Sequence, residues 1–245
     1  MYDGVPGLAH EDLNNARVSR RAFLGAFAGF GAVAISGCAA MPERVAFFRP
    51  RDPRFGEPAQ PSFGYYDEMY AAREDEGFMV PAVDLTKVQP QYLRQVVAYP
   101  TPEPVGTVIV DTANRYLYLV QENDTALRYG VGIGRDGFEW SGRARIQWKQ
   151  KWPRWTPPDS MIARQPELAQ YSAQNGGKAP GLDNPLGARA LYIFQDGVDT
   201  LYRIHGTPEY WTIGKALSSG CVRMMHQDVI DLYDRVPNRT PIIVL

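Results

Sequence analysis

The chain has 245 residues, 44% of them hydrophobic and 22% charged, a composition that excludes both a disordered chain and a polytopic membrane protein. Its 26 Lys and Arg stand against 27 Asp and Glu, a formal net charge of -1. No basic surplus is available to neutralise a phosphate backbone, which argues against nucleic acid as a partner. The two cysteines, Cys38 and Cys221, allow at most one intrachain disulfide and exclude a disulfide-scaffolded mini-domain or a four-thiol zinc site.

The N-terminal stretch differs from the rest. Ser19-Arg20-Arg21-Ala22-Phe23-Leu24 opens a 14-residue uncharged apolar run from Ala22 to Ile35. That run is shorter than the roughly 20 residues of a membrane-spanning helix and within the range of a signal peptide's apolar region. The segment resembles a twin-arginine export signal. Ile35-Ser36-Gly37-Cys38 follows and resembles a lipoprotein cleavage site, with Cys38 as the lipidated first residue of the mature chain. This implies export to the periplasm and a membrane held through acyl chains on Cys38, with residues 1–37 removed. The alternatives are a short buried helix, or a cut beyond Cys38 with no lipid.

From Met41 to about Tyr70 the chain is rich in Pro, Arg and aromatics, including Pro50, Pro53, Pro58 and Pro61. Residues 38–100 read as a Pro-rich extended tether with short helical segments, one at 65–76 and one at 90–97. Beyond Pro104 strand signals dominate. A hairpin is expected from 107–110 and 115–120, turning through Asp111 to Asn114. Further strands are expected at 128–133, 143–147, 190–194, 202–205 and 242–245, and a helix at 227–235 stopped by Pro237. Many short strands without a strand-helix rhythm predict a mainly β domain over 101–245, a sandwich or open barrel with one or two packed helices. The long apolar-poor loop from Ser172 to Leu186 reads as a lid or cleft wall.

The chemistry concentrates in Tyr202-Arg203-Ile204-His205-Gly206-Thr207 and Ser218-Ser219-Gly220-Cys221-Val222-Arg223-Met224. An unperturbed thiol is only slightly ionised at neutral pH, so a cysteine that attacks an amide needs a base; His205, at the end of an expected strand, is placed to act as one. Gly220 removes a β-carbon where a substrate must approach, and its neighbouring N–H groups can hold an oxyanion. The bland alternative is Cys221 as a small buried hydrophobe.

These two segments resemble the catalytic signature of the L,D-transpeptidase family, His-Gly-Thr and then Ser-x-Gly-Cys-Val-Arg-Met before an acidic residue and a helix. The resemblance also takes in the 106–111 hairpin strand, Gly130 to Gly137, Trp155 and Gly187 to Tyr192, and spans roughly residues 100 to 245. It implies a β-sandwich-like fold and acyl transfer on peptidoglycan stem peptides, without cofactor or metal. Carried over, Cys221 is the nucleophile and His205 the base and acid. The Gly206 carbonyl orients the imidazole, Gly220 and Cys221 N–H groups form the oxyanion hole, and Arg223 binds a substrate carboxylate. Ser218 keeps the expected hydroxyl, whereas Ser219 stands where many members have His. Tyr192 and Trp211 are the aromatic candidates near the site. For Trp140, Trp148, Trp152, Trp155 and Tyr210 two readings stand, the lining of a glycan or peptide cleft and, favoured for most, core or loop anchoring; His226 reads as a surface or capping residue. No obligate protein partner is evident. The other readings are a catalytically silent peptidoglycan-binding lipoprotein of the same fold and, third, a papain-like protease, in which the nucleophile precedes its histidine.

Overall fold

A computed structural model describes residues 63–134, 141–218 and 220–245, with 63, 217 and 218 described through their backbone alone. Helix α1 (Phe63–Met69) turns Tyr66 inward and is followed by a strand pair, β1 (Arg73–Asp75) and β2 (Phe78–Val80). Their turn places Glu76 and Gly77 at positive φ, and the Gly77 N–H donates to the Glu74 carboxylate at 2.7 Å. A helix cannot run through that turn, so the one expected to reach Glu76 stops at Met69. The second expected helix, 90–97, is reduced to one 3₁₀ turn at Pro90–Tyr92 before β3 (Gln95–Ala98). Its Val96 and Val97 serve a strand, where β-branched residues pack well.

The expected hairpin forms from β4 (Val108–Asp111) and β5 (Tyr116–Val120). Asp111 closes it, accepting from the Asn114 N–H at 2.9 Å and from its side-chain amide at 2.7 Å. Then come β6 (Thr125–Gly130), β7 (Ile133–Gly134), β8 (Gly142–Lys151), helix α2 (Asp159–Arg164), β9 (Arg189–Gln195) and β10 (Val198–Gly206). The chain ends in β11 (Ala216–Ser218), β12 (Val222–Met224), α3 (His226–Arg235) and β13 (Thr240–Val244).

Nine strands make one sheet in the order β12-β10-β9-β8-β13-β4-β5-β6-β3. All neighbours are antiparallel except β10 with β12 and β13 with β4. Beyond the edge strand β12, Gly132 and Arg223 exchange two backbone hydrogen bonds of 2.9 and 2.8 Å. The sheet therefore curls until β12 meets the chain leaving β6. The mainly β domain with few packed helices is the one expected. Val108, Leu117, Ile146, Leu191, Ile204 and Val222 fill its interior, and Val229 and Leu232 of α3 pack into the same core.

The tether expected over 38–100 does not hold from Phe63 onward. Tyr66, Tyr70, Val83, Val88, Tyr92 and Leu93 form a second core with Ile213 and Met225, and β3 is the last strand of the sheet. Polar contacts fasten this segment to α3: the Tyr70 hydroxyl donates to Asp228 at 3.1 Å and accepts the Arg94 N–H at 2.8 Å. The Arg94 guanidinium lies 2.5 Å from Asp231 and 3.7 Å from Asp228. Burial lifts Asp228 to about 7 against the pull of Arg94 and Tyr70. Residues 1–62, with the expected signal and Cys38, lie outside the described residues.

A second anchor holds the β1–β2 pair. Arg189, almost fully buried, forks onto Asp75 at 2.7 and 2.8 Å, and the Trp152 indole N–H donates to the same carboxylate at 2.8 Å. Removing one partner leaves a buried charge unpaired. Arg189→Ala is therefore expected to cost about 3–5 kcal/mol in equilibrium denaturation. Arg143→Ala, which cuts the exposed pair with Glu103, should barely move the midpoint. Equal small losses in both would show that Arg189 is not an anchor.

Candidate active site

Register places the chemistry. Along the parallel β10–β12 pair Ile204 is the partner of Val222 and His205 the partner of Arg223. Ile204 and Val222 point into the core. His205 and Arg223 thus share the opposite face, and Cys221 lies in the bend that leads into β12, two residues before Arg223. Counting back from the Ile204–Val222 pair sets Cys221, one residue before β12, level with Arg203 and two residues short of His205. Gly220, at φ 123°, turns the chain into this position; a β-carbon there would meet the Tyr202 ring at 3.3 Å.

The imidazole is fixed from behind. His205 Nδ1 lies 2.7 Å from the Gly206 carbonyl oxygen. A carbonyl only accepts, so Nδ1 carries the proton and Nε2 keeps its lone pair. Burial drives the His205 pKa down to about 4, although the carbonyls of Gly206 and Pro185 favour the protonated ring. Burial also pushes the Cys221 thiol up, against the backbone N–H and charge of Arg203. The resting pair is neutral thiol and neutral imidazole. Proton transfer must then accompany attack.

Arg223 is 7% exposed, and its Nε and one terminal nitrogen, Nη2, have no hydrogen-bond partner. The other, Nη1, donates to Glu209 at 3.2 Å. Gly132 lets the fork lie close: a β-carbon there would stand 3.4 Å from Nε. Buried unpaired guanidinium donors are costly, and a carboxylate matches their geometry.

The long loop is a pinned wall. Buried Asn184 holds it, donating to the carbonyls of Pro153 at 3.1 Å and Ala179 at 2.9 Å and accepting from the Leu186 N–H at 2.9 Å. Gly187, at φ 59°, lies flat against His226, where a β-carbon would come within 2.4 Å of the ring. His226 is not the surface or capping residue expected. It is buried, accepts from the Ala188 N–H at 3.3 Å, and packs under Gly206, the residue whose carbonyl holds His205. Burial and the His205 charge lower it to about 4. Beyond it lies a cavity of about 220 Å³ between Val83, Leu182, Pro208 and Tyr210.

Of the other candidates, Tyr192 is on the site face as the partner of Arg203. Trp211 stacks edge-on against Tyr210 at 5.3 Å, on a short turn whose Thr212 carbonyl abuts Gly132, on the far side of Arg223. Ser218 belongs to β11 through its backbone. Ser219 and Trp140 lie outside the described residues. Among the described residues no three His, Cys, Asp or Glu side chains cluster as a metal site. Sequence reasoning missed Arg203, which the two-residue strand period places on the face of His205. It also missed Asn184 and Gly187, whose roles depend on contacts across the fold.

A neutral resting pair has a direct consequence for reactivity. Iodoacetamide alkylation of Cys221 should rise with pH up to and beyond 9, the thiolate being scarce below that. A rate already level between pH 5 and 8 would mean a preformed thiolate and imidazolium.

Residues 106–244 match the YkuD family model, the L,D-transpeptidase catalytic domain. Two Escherichia coli K12 proteins are similar: "Probable L,D-transpeptidase ErfK/SrfK", 31% identical over 57% of this chain and 44% of that protein, and "Probable L,D-transpeptidase YbiS", 34% identical over 54% and 42%. The chain spans less than half the length of either relative in these matches. A solved structure described as a "Probable carnitine operon oxidoreductase caia" from Brucella melitensis is 44% identical, covers 63% of this chain and 94% of that one, and has a TM-score of 0.45. With more than half of its length matched by the family model, the chain belongs to the YkuD family of L,D-transpeptidase catalytic domains.

Proposed function

We propose that the protein is a peptidoglycan L,D-transpeptidase with Cys221 as its nucleophile. The observation that carries this reading is the site face itself, where an imidazole whose Nδ1 is held by a carbonyl and a buried guanidinium with unpaired donors are register partners on β10 and β12, with a thiol one residue before β12. As the sulfur attacks the carbonyl of a stem peptide's L,D-amide, its proton passes to His205 Nε2. The N–H groups of Gly220 and Cys221 receive the oxyanion. The carbonyls on the ring offset the charge gained by the imidazole. The amide C–N bond then breaks, the imidazolium returns the proton to the departing D-amino acid, and a thioester remains. An amine of a neighbouring stem, or water, gives its proton to His205, attacks the thioester and restores the thiol. Arg223 holds a substrate carboxylate in its fork.

The export reading belongs to the same proposal. Arg20-Arg21 and the apolar run direct the chain to the periplasm by a twin-arginine route, and Cys38, lipidated, fixes it to a membrane; acyl chains contribute about 0.8 kcal/mol per buried methylene. Residues 39–62 would then be the tether.

Incubation with disaccharide tetrapeptide is expected to release D-alanine, with no release by Cys221→Ala. Arg223→Lys keeps the charge but loses the fork and should lower kcat/KM about tenfold to a hundredfold. Full activity in Cys221→Ala would overturn the assignment. Intact-mass measurement of protein from membranes is expected to give a chain starting at an acylated Cys38; an unmodified N-terminus beyond residue 38 would end the lipid claim.

A further inference from the structure

One structured group on the site face has no part in the chemistry above. Trp148 on β8, Tyr192 on β9 and Arg203 on β10 are successive register partners. Counting back one residue from the Ile204–Val222 pair sets Cys221 beside Arg203. Trp148, Tyr192 and Arg203 form a single row across three strands, and Cys221 directly precedes the fourth, β12. Within it the Trp148 and Tyr192 rings stack at 3.5 Å and 10°. The Arg203 guanidinium lies 4.5 Å from the Tyr192 ring centroid. Arg203 is itself clamped onto Asp199 at 2.7 and 2.8 Å.

The sequence builds this stack deliberately at one irregular point. The β9–β10 register shifts between Asp199 and Arg203, Leu201 sits at φ 62°, and its N–H donates to Asp199 at 2.8 Å. That bulge re-aims Arg203 onto Tyr192. The charge of Arg203 is answered by Asp199, so the row presents rings and not a free cation. Trp148 remains 39% exposed, and Tyr192 is its one ring partner among the described residues. A rigid, strand-borne aromatic surface loses little entropy when it takes a ligand.

Distance selects the ligand. Adjacent strands lie about 4.8 Å apart, which puts Trp148 three steps, roughly 14 Å, from Cys221. In the donor stem, three residues separate the attacked carbonyl from the sugar, a reach of about 10 Å when extended. The γ-linkage of the second residue and the lactyl ether supply the remainder. A pyranose ring has an apolar C–H face whose partial positive charge suits the negative face of an indole. Gln150, whose side-chain oxygen lies 3.4 Å from the Tyr192 hydroxyl, offers polar atoms beside it. Resting on the acyl-transfer reading, we propose that the Trp148–Tyr192–Arg203 row is the subsite for the amino sugar that carries the donor stem, stacked on the open face of Trp148.

Binding and turnover separate this claim from the reading beneath it. Cys221→Ala protein, in which no chemistry runs, is titrated with a peptide-free N-acetylglucosamine–N-acetylmuramic acid tetrasaccharide and followed by calorimetry. Saturable binding is expected, weakened about tenfold or more by adding Trp148→Ala. Should that variant melt early, Trp148→Leu keeps the bulk without the π face. In the active enzyme, kcat/KM for disaccharide tetrapeptide over sugar-free tetrapeptide is expected to be about ten or more, falling toward one in Trp148→Ala. A ratio near one in the unaltered protein with no tetrasaccharide binding overturns the subsite and leaves acyl transfer standing. Tetrasaccharide binding through Trp148 in a protein that turns over neither substrate sustains the subsite and refutes the transpeptidase reading.

Discussion

The short parallel pairing of β12 with β10 is the constraint on which the site depends. Three register pairs set His205 opposite Arg223, and Cys221 directly precedes the first of them. A slip of one residue would turn Cys221 and Arg223 into the core and Val222 out of it. The apolar cost of that slip specifies the register, since Ile204, Val222 and Met224 are completely buried. The two backbone bonds between Gly132 and Arg223 guard the outer edge of β12. Closure of the sheet and assembly of the site are one event.

Around that pairing the fold supplies rigidity from three sides. Asn184 and Gly187 fix the loop that brings the Pro185 carbonyl to His205, and His226 supports Gly206 from below. The segment before the sheet, which resembles a linker, clamps α3 through Tyr70 and Arg94 and so steadies the helix that begins at His226. Catalytic groups placed on strands and braced by buried polar contacts keep their geometry without relying on a substrate.

Much of this was legible in the residues. The β4–β5 hairpin carries its own turn chemistry in Asp111 and Asn114, and α3 shows its apolar stripe and its stop at Pro237. His205 and Cys221 as the candidate base and nucleophile were read from motif order and residue type. The region 63–100 was misread because the prolines before it suggested an extended chain, while Tyr66, Tyr70 and Tyr92 pack in one core with Ile213 and Met225, more than a hundred residues away. His226 was misplaced for a similar reason. A histidine at a helix start looks solvent-facing until Gly187 and Gly206, both lacking a β-carbon, make room for its ring.

The central claim is that acyl groups pass through the sulfur of Cys221 with His205 moving the proton. Rapid-quench intact-protein mass spectrometry with a tetrapeptide stem tests it most directly. The account predicts a transient adduct equal in mass to the stem minus the free D-amino acid it releases, mapping to Cys221 by peptide digestion and greatly slowed by His205→Ala. An adduct on another residue, or substrate turnover with no covalent species when Cys221 is replaced, would contradict it.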